Sequence, residues 1–454
     1  MRITGSRLVL IGLVVGYLVA RIGVLVGGRV FTSYDTFSYA YRGVSPPDHG
    51  PLVSLTGHAA RLWGVPVLYV LLPGDNLRAY AQWALGTVAW VALALVVWSL
   101  LRHPAARLVG AAGVLVLALT PQVGSWDFAI LSESLTISLG VLTLALLLLW
   151  WNKQRATPSR TVLIGLILVA TWWTFTRPDI RVFTVFLVLA LGLAAWRRRD
   201  RDAWIAAGVL VLAIAWCSAI APVTQRTYLD RGYGFVGADE GLMYQLRLQV
   251  FPDPKVKEVF QRELGMPECP AAAAIAADPV WRIGDFHDAY RSCPDLAAWG
   301  DQHRDLMAEF ARAAPGLYLD RATVLLGATL TGLNLAHTPA VLPPVVPRLA
   351  FPPQRYSPWL PLAAFALTVA AAAIARTRRW FWPMVALAGV CLISAAAAVV
   401  FGVGEFQRFG VQEAIGLRTS IVVLLAAMLD SLLSRRLQSA DVDERARSRV
   451  ASPG

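Results

Sequence analysis

The chain has 454 residues, 57% of them hydrophobic and 15% charged, with a formal net charge of +12. Its apolar residues come in repeated unbroken runs rather than amphipathic segments, which excludes an ordinary soluble domain. The basic surplus lies in short loops and a C-terminal tail, not on one continuous face, which argues against a nucleic-acid binder.

About ten of these runs are long enough to cross a bilayer. The first, Leu8–Gly28, is too long for a signal-peptide core and lacks a small-x-small cleavage site, so it is an expected uncleaved span. A long loop, 29–78, follows. It holds Tyr34, Asp35, Tyr39 and Tyr41, and then Leu52–Leu72, whose interruptions by Gly57, Arg61, Gly64 and Pro66 predict short interfacial helices. Further spans are expected at Ala79–Leu101, Leu108–Thr120, Ser134–Trp151, Thr161–Thr176, Ile180–Trp196 and Ala203–Pro222. Residues 1–222 form an N-terminal membrane module of about seven spans. Residues 223–356 form a polar loop domain with a helix expected near Asp301–Ala314, closed by the re-entrant or interfacial segment Ala322–Val346. Spans at Trp359–Ala375, Trp380–Phe401 and Ile415–Leu433 make a C-terminal module, 357–433, and the polar tail 434–454 is expected to be disordered.

Arginine and lysine crowd every second connection: Arg2 and Arg7; Arg102 and Arg107; Lys153, Arg155 and Arg160; Arg197 to Arg199 and Arg201; Arg376, Arg378 and Arg379; Arg435 and Arg436. The positive-inside rule places these connections, and both termini, in the cytoplasm. The expected fold is an all-α polytopic protein of the plasma (inner) membrane, with juxtamembrane helices and one larger loop domain outside. Of the four cysteines, Cys217 and Cys391 fall inside spans, whereas Cys269 and Cys293 share the outer domain, where a disulfide is permitted. The histidines, His49, His58, His287, His303 and His337 among them, show no metal-ligand spacing.

The outer connections hold nearly all the near-membrane acids, each with isolated arginines. Asp35 lies among aromatic residues, surroundings that raise a carboxyl pKa towards that of a general base, although the same position also suits a helix cap. Tyr34 and Tyr39 are candidate sugar-stacking residues, and Trp126 beside Asp127 is another such pairing. Asp127 and Glu133 flank the fourth span, as a second acidic site or as acids favoured by a helix N-terminus. Arg177-Pro178-Asp179 is the tightest outer turn; Arg177 and Arg181 are suited to a lipid phosphate or to snorkelling. Glu405 and Arg408 lie three apart, within reach on one helical face.

This arrangement resembles the GT-C superfamily of membrane glycosyltransferases, near the protein mannosyltransferase and aminoarabinose transferase group. The resemblance covers most of the chain as topology and little of it as strict motif. It rests on Asp35 just after the first span, Asp127 or Glu133 between the third and fourth, Arg177 at a span mouth, and Glu405-Phe-Gln-Arg408-Phe409 before the last span. It implies a polyprenyl-phosphate sugar donor, with Asp35 as base and Arg177, Arg181 and Arg408 on the donor phosphate. It also implies inversion at the sugar and a glycan, lipid or protein acceptor in the cell envelope. Relatives often pair two acids in the first loop, which favours a metal; here Thr36 follows Asp35, which leaves a divalent metal open and implies no other cofactor. The alternatives are a transporter or flippase of lipid-linked sugars and an enzyme resembling O-antigen ligases or polymerases. Thiol labelling of intact cells tests the sidedness: a cysteine probe at position 285 should be modified and one at 199 protected, and equal labelling refutes it.

Overall fold

The computed structural model describes residues 5–40, 50–153, 160–232, 239–277, 283–303, 305–354, 359–375, 379–401 and 405–450. Arg2, Tyr41, His49, Arg155, Arg376, Arg378 and the glycine-rich 402–404 lie outside them. Among the described residues the chain is helical, with a single parallel β-bridge, Phe31 to Ala129, that ties the first loop to the segment before the fourth span.

In chain order, α1 (Gly5–Gly27), the short α2 (Thr36–Ala40) and α3 (Pro66–Leu71), α4 (Asp75–Leu100), α5 (Pro104–Ala118) and α6 (Pro121–Gly124) lead into α7 (Ser132–Lys153). There follow α8 (Arg160–Thr174), α9 (Arg181–Arg198) and α10 (Arg201–Asp230), the last running on through Pro222. A separate unit has α11 (Asp239–Gln245), α12 (Pro254–Arg262), α13 (Pro270–Ala277), α14 (Ile283–Arg291), α15 (Pro294–Gln302) and α16 (Leu306–Ala313). The chain finishes with α17 (Pro315–Thr331), α18 (Val345–Ala350), α19 (Trp359–Ala375), α20 (Trp382–Phe401), α21 (Phe406–Phe409) and α22 (Val411–Val450).

Seven described helices are long and apolar enough to cross a membrane. They include α1, α4, α7, α10 and α20, together with Pro178–Arg198 and the first part of α22. The remaining expected spans are shorter: α8 and α19 fall below full length, and α5 meets the following helical segment at a 54° bend. Thr120-Pro121 supplies that bend, because a proline ring disfavours helix in the residue before it. The fold is therefore an all-α, multi-pass membrane protein.

The bundle closes as a ring: α4 packs on α7 and α5, α7 on α8, α9 on α10 and α20, and α22 on α20, α5 and α19. Much of α1 faces outward, as expected for a helix bathed in lipid. At one end, Asp430 accepts the backbone N–H groups of Arg102 and His103, and Arg435 donates to the Ile374 carbonyl. These contacts draw together the basic connections that the sequence assigns to one side.

The unit between α10 and α17 has its own core, with Phe260, Phe286, Leu296 and Phe310 at its centre, and carries the Cys269–Cys293 disulfide. Three local expectations change. Leu52–Leu72 is mostly irregular, with only α3 helical; Gly64 lies so close to the Phe175 carbonyl that any Cβ would clash, and the Trp172 indole donates to Gly64. The helix expected at Asp301–Ala314 is confined to α16. The segment 434–450 continues α22 as helix instead of being disordered, consistent with its good helix formers Leu, Arg, Glu and Ala.

Arg21, in the apolar α1, is fully buried and holds Asp127 at 2.6 Å, with Nε donating to Thr87. Removing one partner of such a pair strands a charge in a low-dielectric interior. Arg21→Met should cost about 3–5 kcal/mol of stability. Arg21→Met combined with Asp127→Asn should cost much less. Thermal unfolding in detergent reads the difference, and equal losses would mean that the pair is not coupled.

Candidate functional site

At the end of the bundle opposite Asp430, four connections far apart in sequence converge on one charged network. Arg408, in α21, meets Asp35 Oδ2 at 2.7 Å, Glu133 Oε1 at 2.7 Å and Glu405 Oε2 at 3.0 Å. Arg177, in the turn between α8 and Pro178, meets the same Glu133 oxygen at 3.2 Å and grips Asp179 through Nε and Nη2, both at 3.0 Å. Arg61 reaches Asp35 Oδ1 at 2.8 Å. Three guanidinium groups thus face four carboxylates, a formal balance of 3 − 4 = −1 when all are ionised.

Each member is placed by local chemistry. Asp35 opens α2; its backbone carbonyl accepts the N–H and hydroxyl of Ser38, while its carboxylate turns to the two arginines. Thr36 donates to the Ile130 carbonyl and so pins α2 to the segment before Glu133. Arg61 lies between the Tyr39 and Tyr228 rings, 4.8 and 4.3 Å from their centroids, and its Nε donates to Ser38. Phe409 lies against both remaining guanidinium groups, 5.5 Å from Arg177 and 5.8 Å from Arg408. Glu405 has φ 41°, a left-handed conformation uncommon outside glycine, and its carbonyl accepts the N–H of Arg408.

The carboxylates differ in availability. Glu133 is fully buried and held by two arginines. Burial pushes the Asp35 carboxyl up, but Arg61 and Arg408 outweigh it and hold the group below the usual carboxylate range. This corrects the raised pKa expected from its aromatic surroundings. Glu405 moves the other way: burial, reinforced by Asp35 and Glu133, outweighs Arg408 and raises it.

The other sequence candidates separate from this network. Asp127 is locked to Arg21 and accepts the Ser134 hydroxyl at 3.1 Å, so it forms a distinct buried pair and not a second acid beside Glu133. Trp126 is completely buried and offers no face to a sugar. Tyr39 is buried against Arg61, whereas Tyr34 keeps an exposed ring beside Asp35. Arg181 turns away from the network, donating to the Pro178 carbonyl and to Ser218 on α10. The sequence reading missed the roles of Arg61 and Arg21; the signal was present in each case, as a lone arginine in an outer apolar loop and a charge inside the first span.

Below the network, α7, α8, α9, α20 and α22 enclose a narrow apolar cleft of about 100 Å³. Ile137 lies one turn past Glu133, Trp173 one turn before Arg177 and Gln412 one turn past Arg408, so the cleft begins where the charges end. From Ile137 to Leu147 it follows α7 for roughly 15 Å at about 1.5 Å per residue. No group of three or more potential metal-ligating His, Cys, Asp or Glu side chains forms among the described residues. No protein-family model matches the chain, and no curated protein resembles it significantly.

The opposed shifts give a pH prediction. Asp35, depressed in the folded state, stabilises the protein above its unfolded pKa of about 3.9, and that contribution is lost as pH falls through the lower folded value. Glu405 is raised, so its ionisation opposes folding as pH climbs from about 4.3 through the folded value. Near pH ~7, Asp35→Asn should therefore lower the unfolding temperature and Glu405→Gln should raise it. Both differences should shrink towards pH ~3. Shifts of one sign, or shifts independent of pH, would contradict the assignment.

Proposed function

We propose that this protein is a membrane glycosyltransferase that moves a sugar from a polyprenyl-phosphate donor to a hydroxyl of a cell-envelope glycan, lipid or protein on the extracytoplasmic face. One observation carries the reading: a half-buried network of arginines and carboxylates, with Glu133 and Arg177 at its buried centre, caps an apolar cleft in the bundle. An amphiphile with an anionic head and a long hydrocarbon chain matches both parts.

In this reading the donor phosphate draws Arg408 and Arg177 from their carboxylates. The acceptor oxygen attacks the anomeric carbon from the face opposite the phosphate. The new carbon–oxygen bond forms as the bond to the phosphate oxygen breaks, polyprenyl phosphate leaves, and the configuration inverts. The guanidinium groups stabilise the charge that develops on the leaving phosphate. The acceptor proton passes to Asp35. With both Arg61 and Arg408 on it, Asp35 is a weak base. Once Arg408 turns to phosphate, one of these is withdrawn and the proton affinity of Asp35 rises when a base is needed. Tyr34 supplies an exposed ring beside that carboxylate for the sugar.

The rival reading, a carrier of lipid-linked sugars, takes its best support from charge inside the spans. Arg21 and Asp127 are such charges, but they bond to each other and to neighbouring protein groups and do not line a path.

The test uses purified protein in nanodiscs with a panel of polyprenyl-phosphate sugars and labelled acceptors. Asp35→Asn should reduce turnover about a hundredfold or more while retaining the donor. Arg177→Ala should chiefly weaken donor binding. Failure to retain any polyprenyl phosphate, or near-normal turnover in Asp35→Asn, would sink the proposal.

A further inference from the structure

At the other end of the bundle, α9 and α10 are joined by the tightest of the basic connections, Arg199-Asp200. Arg199 takes φ 53° and ψ 37°, the left-handed conformation, and its N–H closes the end of α9 on the Ala195 carbonyl. Asp200 then caps α10 by accepting the N–H groups of Asp202 and Ala203. The abrupt reversal leaves a notch of about 430 Å³ lined by Ala195, Trp196, Arg199, Arg201 and Trp204.

The chemistry of this notch is unlike that of a simple topological anchor. Trp196 and Trp204 are exposed, one on each helix, which is unusual for side chains this large unless an amphipathic medium covers them. Arg197, Arg198, Arg199 and Arg201 are exposed around the same turn. Arg160 also reaches the region, paired to Asp202 at 2.7 Å. With Asp200 and Asp202 as the acids of the turn, the local balance is 5 − 2 = +3. On the membrane side of the tryptophans, the outward faces continue as Leu193 and Leu189 on α9 and Leu212 on α10. Gly192 and Gly208 lie on those same faces, and a Cβ at either would meet nothing. A shallow apolar trough therefore runs from a basic notch along two membrane helices.

We propose that the α9–α10 turn is a binding site for an anionic glycerophospholipid of the cytoplasmic leaflet. The phosphate sits on Arg199 and Arg201, the glycerol backbone lies between Trp196 and Trp204, and an acyl chain lies in the trough. Arginine forks suit the phosphate, and tryptophans suit the depth at which hydrocarbon gives way to headgroups. The site is separate from the extracytoplasmic network and does not depend on the transferase reading.

Native mass spectrometry of the full-length protein, with phosphatidylglycerol or phosphatidylcholine added in matched amounts, tests the site. The parent protein should retain phosphatidylglycerol in preference. Arg199→Gly combined with Arg201→Ala should weaken phosphatidylglycerol binding about thirtyfold, at about fivefold per arginine. Glycine suits the left-handed position, so this variant should fold. Arg7→Gln, which removes a charge from a different basic connection, should leave binding unchanged. Trp196→Ala combined with Trp204→Ala should weaken binding with no change in charge. Parental retention in the double-arginine variant, or an equal loss in Arg7→Gln, would overturn the assignment.

Discussion

Arg408 is the tie on which one end of this protein depends. A largely enclosed guanidinium needs compensation, and here it comes from three carboxylates supplied by three segments: Asp35 after the first span, Glu133 at the mouth of α7, and Glu405 one turn away. Glu133 then passes the constraint to Arg177, and Asp35 passes it to Arg61. Helix packing within a bilayer gains little from hydrophobic burial, because lipid tails are as apolar as leucine. Charge therefore joins hydrophobic packing in fixing the connections relative to one another. That is consistent with the irregular backbone between Pro51 and Val65, which lies under Arg61 and against Phe175 without a regular helix of its own.

The same network shifts neighbouring carboxyls in opposite directions. Asp35, with two cationic neighbours, is held below the usual carboxylate range; Glu405, with one, is raised by burial and by Asp35 and Glu133. Divergent environments for neighbouring acids are how proteins divide acid and base work among like residues. In the proposed reading, the slight excess of carboxylate over guanidinium makes the donor phosphate compete for cations already engaged, so that its binding and the release of a carboxylate are one event.

Much of this was legible in the sequence. The alternation of basic connections foretold the division into two ends, and Asp35, Glu133, Arg177, Glu405 and Arg408, chosen from separate loops, meet in one place. The cysteine pair in the outer segment is bonded. Other features were hidden, for definite reasons. Asp127 and Glu133 are only six positions apart and look equivalent in sequence, yet the turn at Ser125–Phe128 sends Asp127 inward to Arg21 and leaves Glu133 at the helix mouth. Trp126 beside an acid has the composition of a sugar platform, but its neighbours bury it completely. The Asp35 pKa was misjudged because aromatic surroundings are visible in sequence, whereas Arg61 and Arg408, distant along the chain, are not. Of the ten expected spans, seven are long apolar helices among the described residues, while α8 and α19 are shorter apolar helices.

One consequence concerns biogenesis. Asp35 and Arg408, which touch in the finished structure, are separated by almost the whole chain. A polypeptide emerging from the ribosome threads α1 into the bilayer and displays Asp35 long before α21 exists. Until α22 is inserted, Glu133 and Asp35 lack their shared guanidinium and the outer loops have no common anchor. Partly translated or C-terminally truncated chains would therefore have a populated bundle but no assembled centre. Synthesis of α21 therefore sets the earliest point at which the charged centre can assemble.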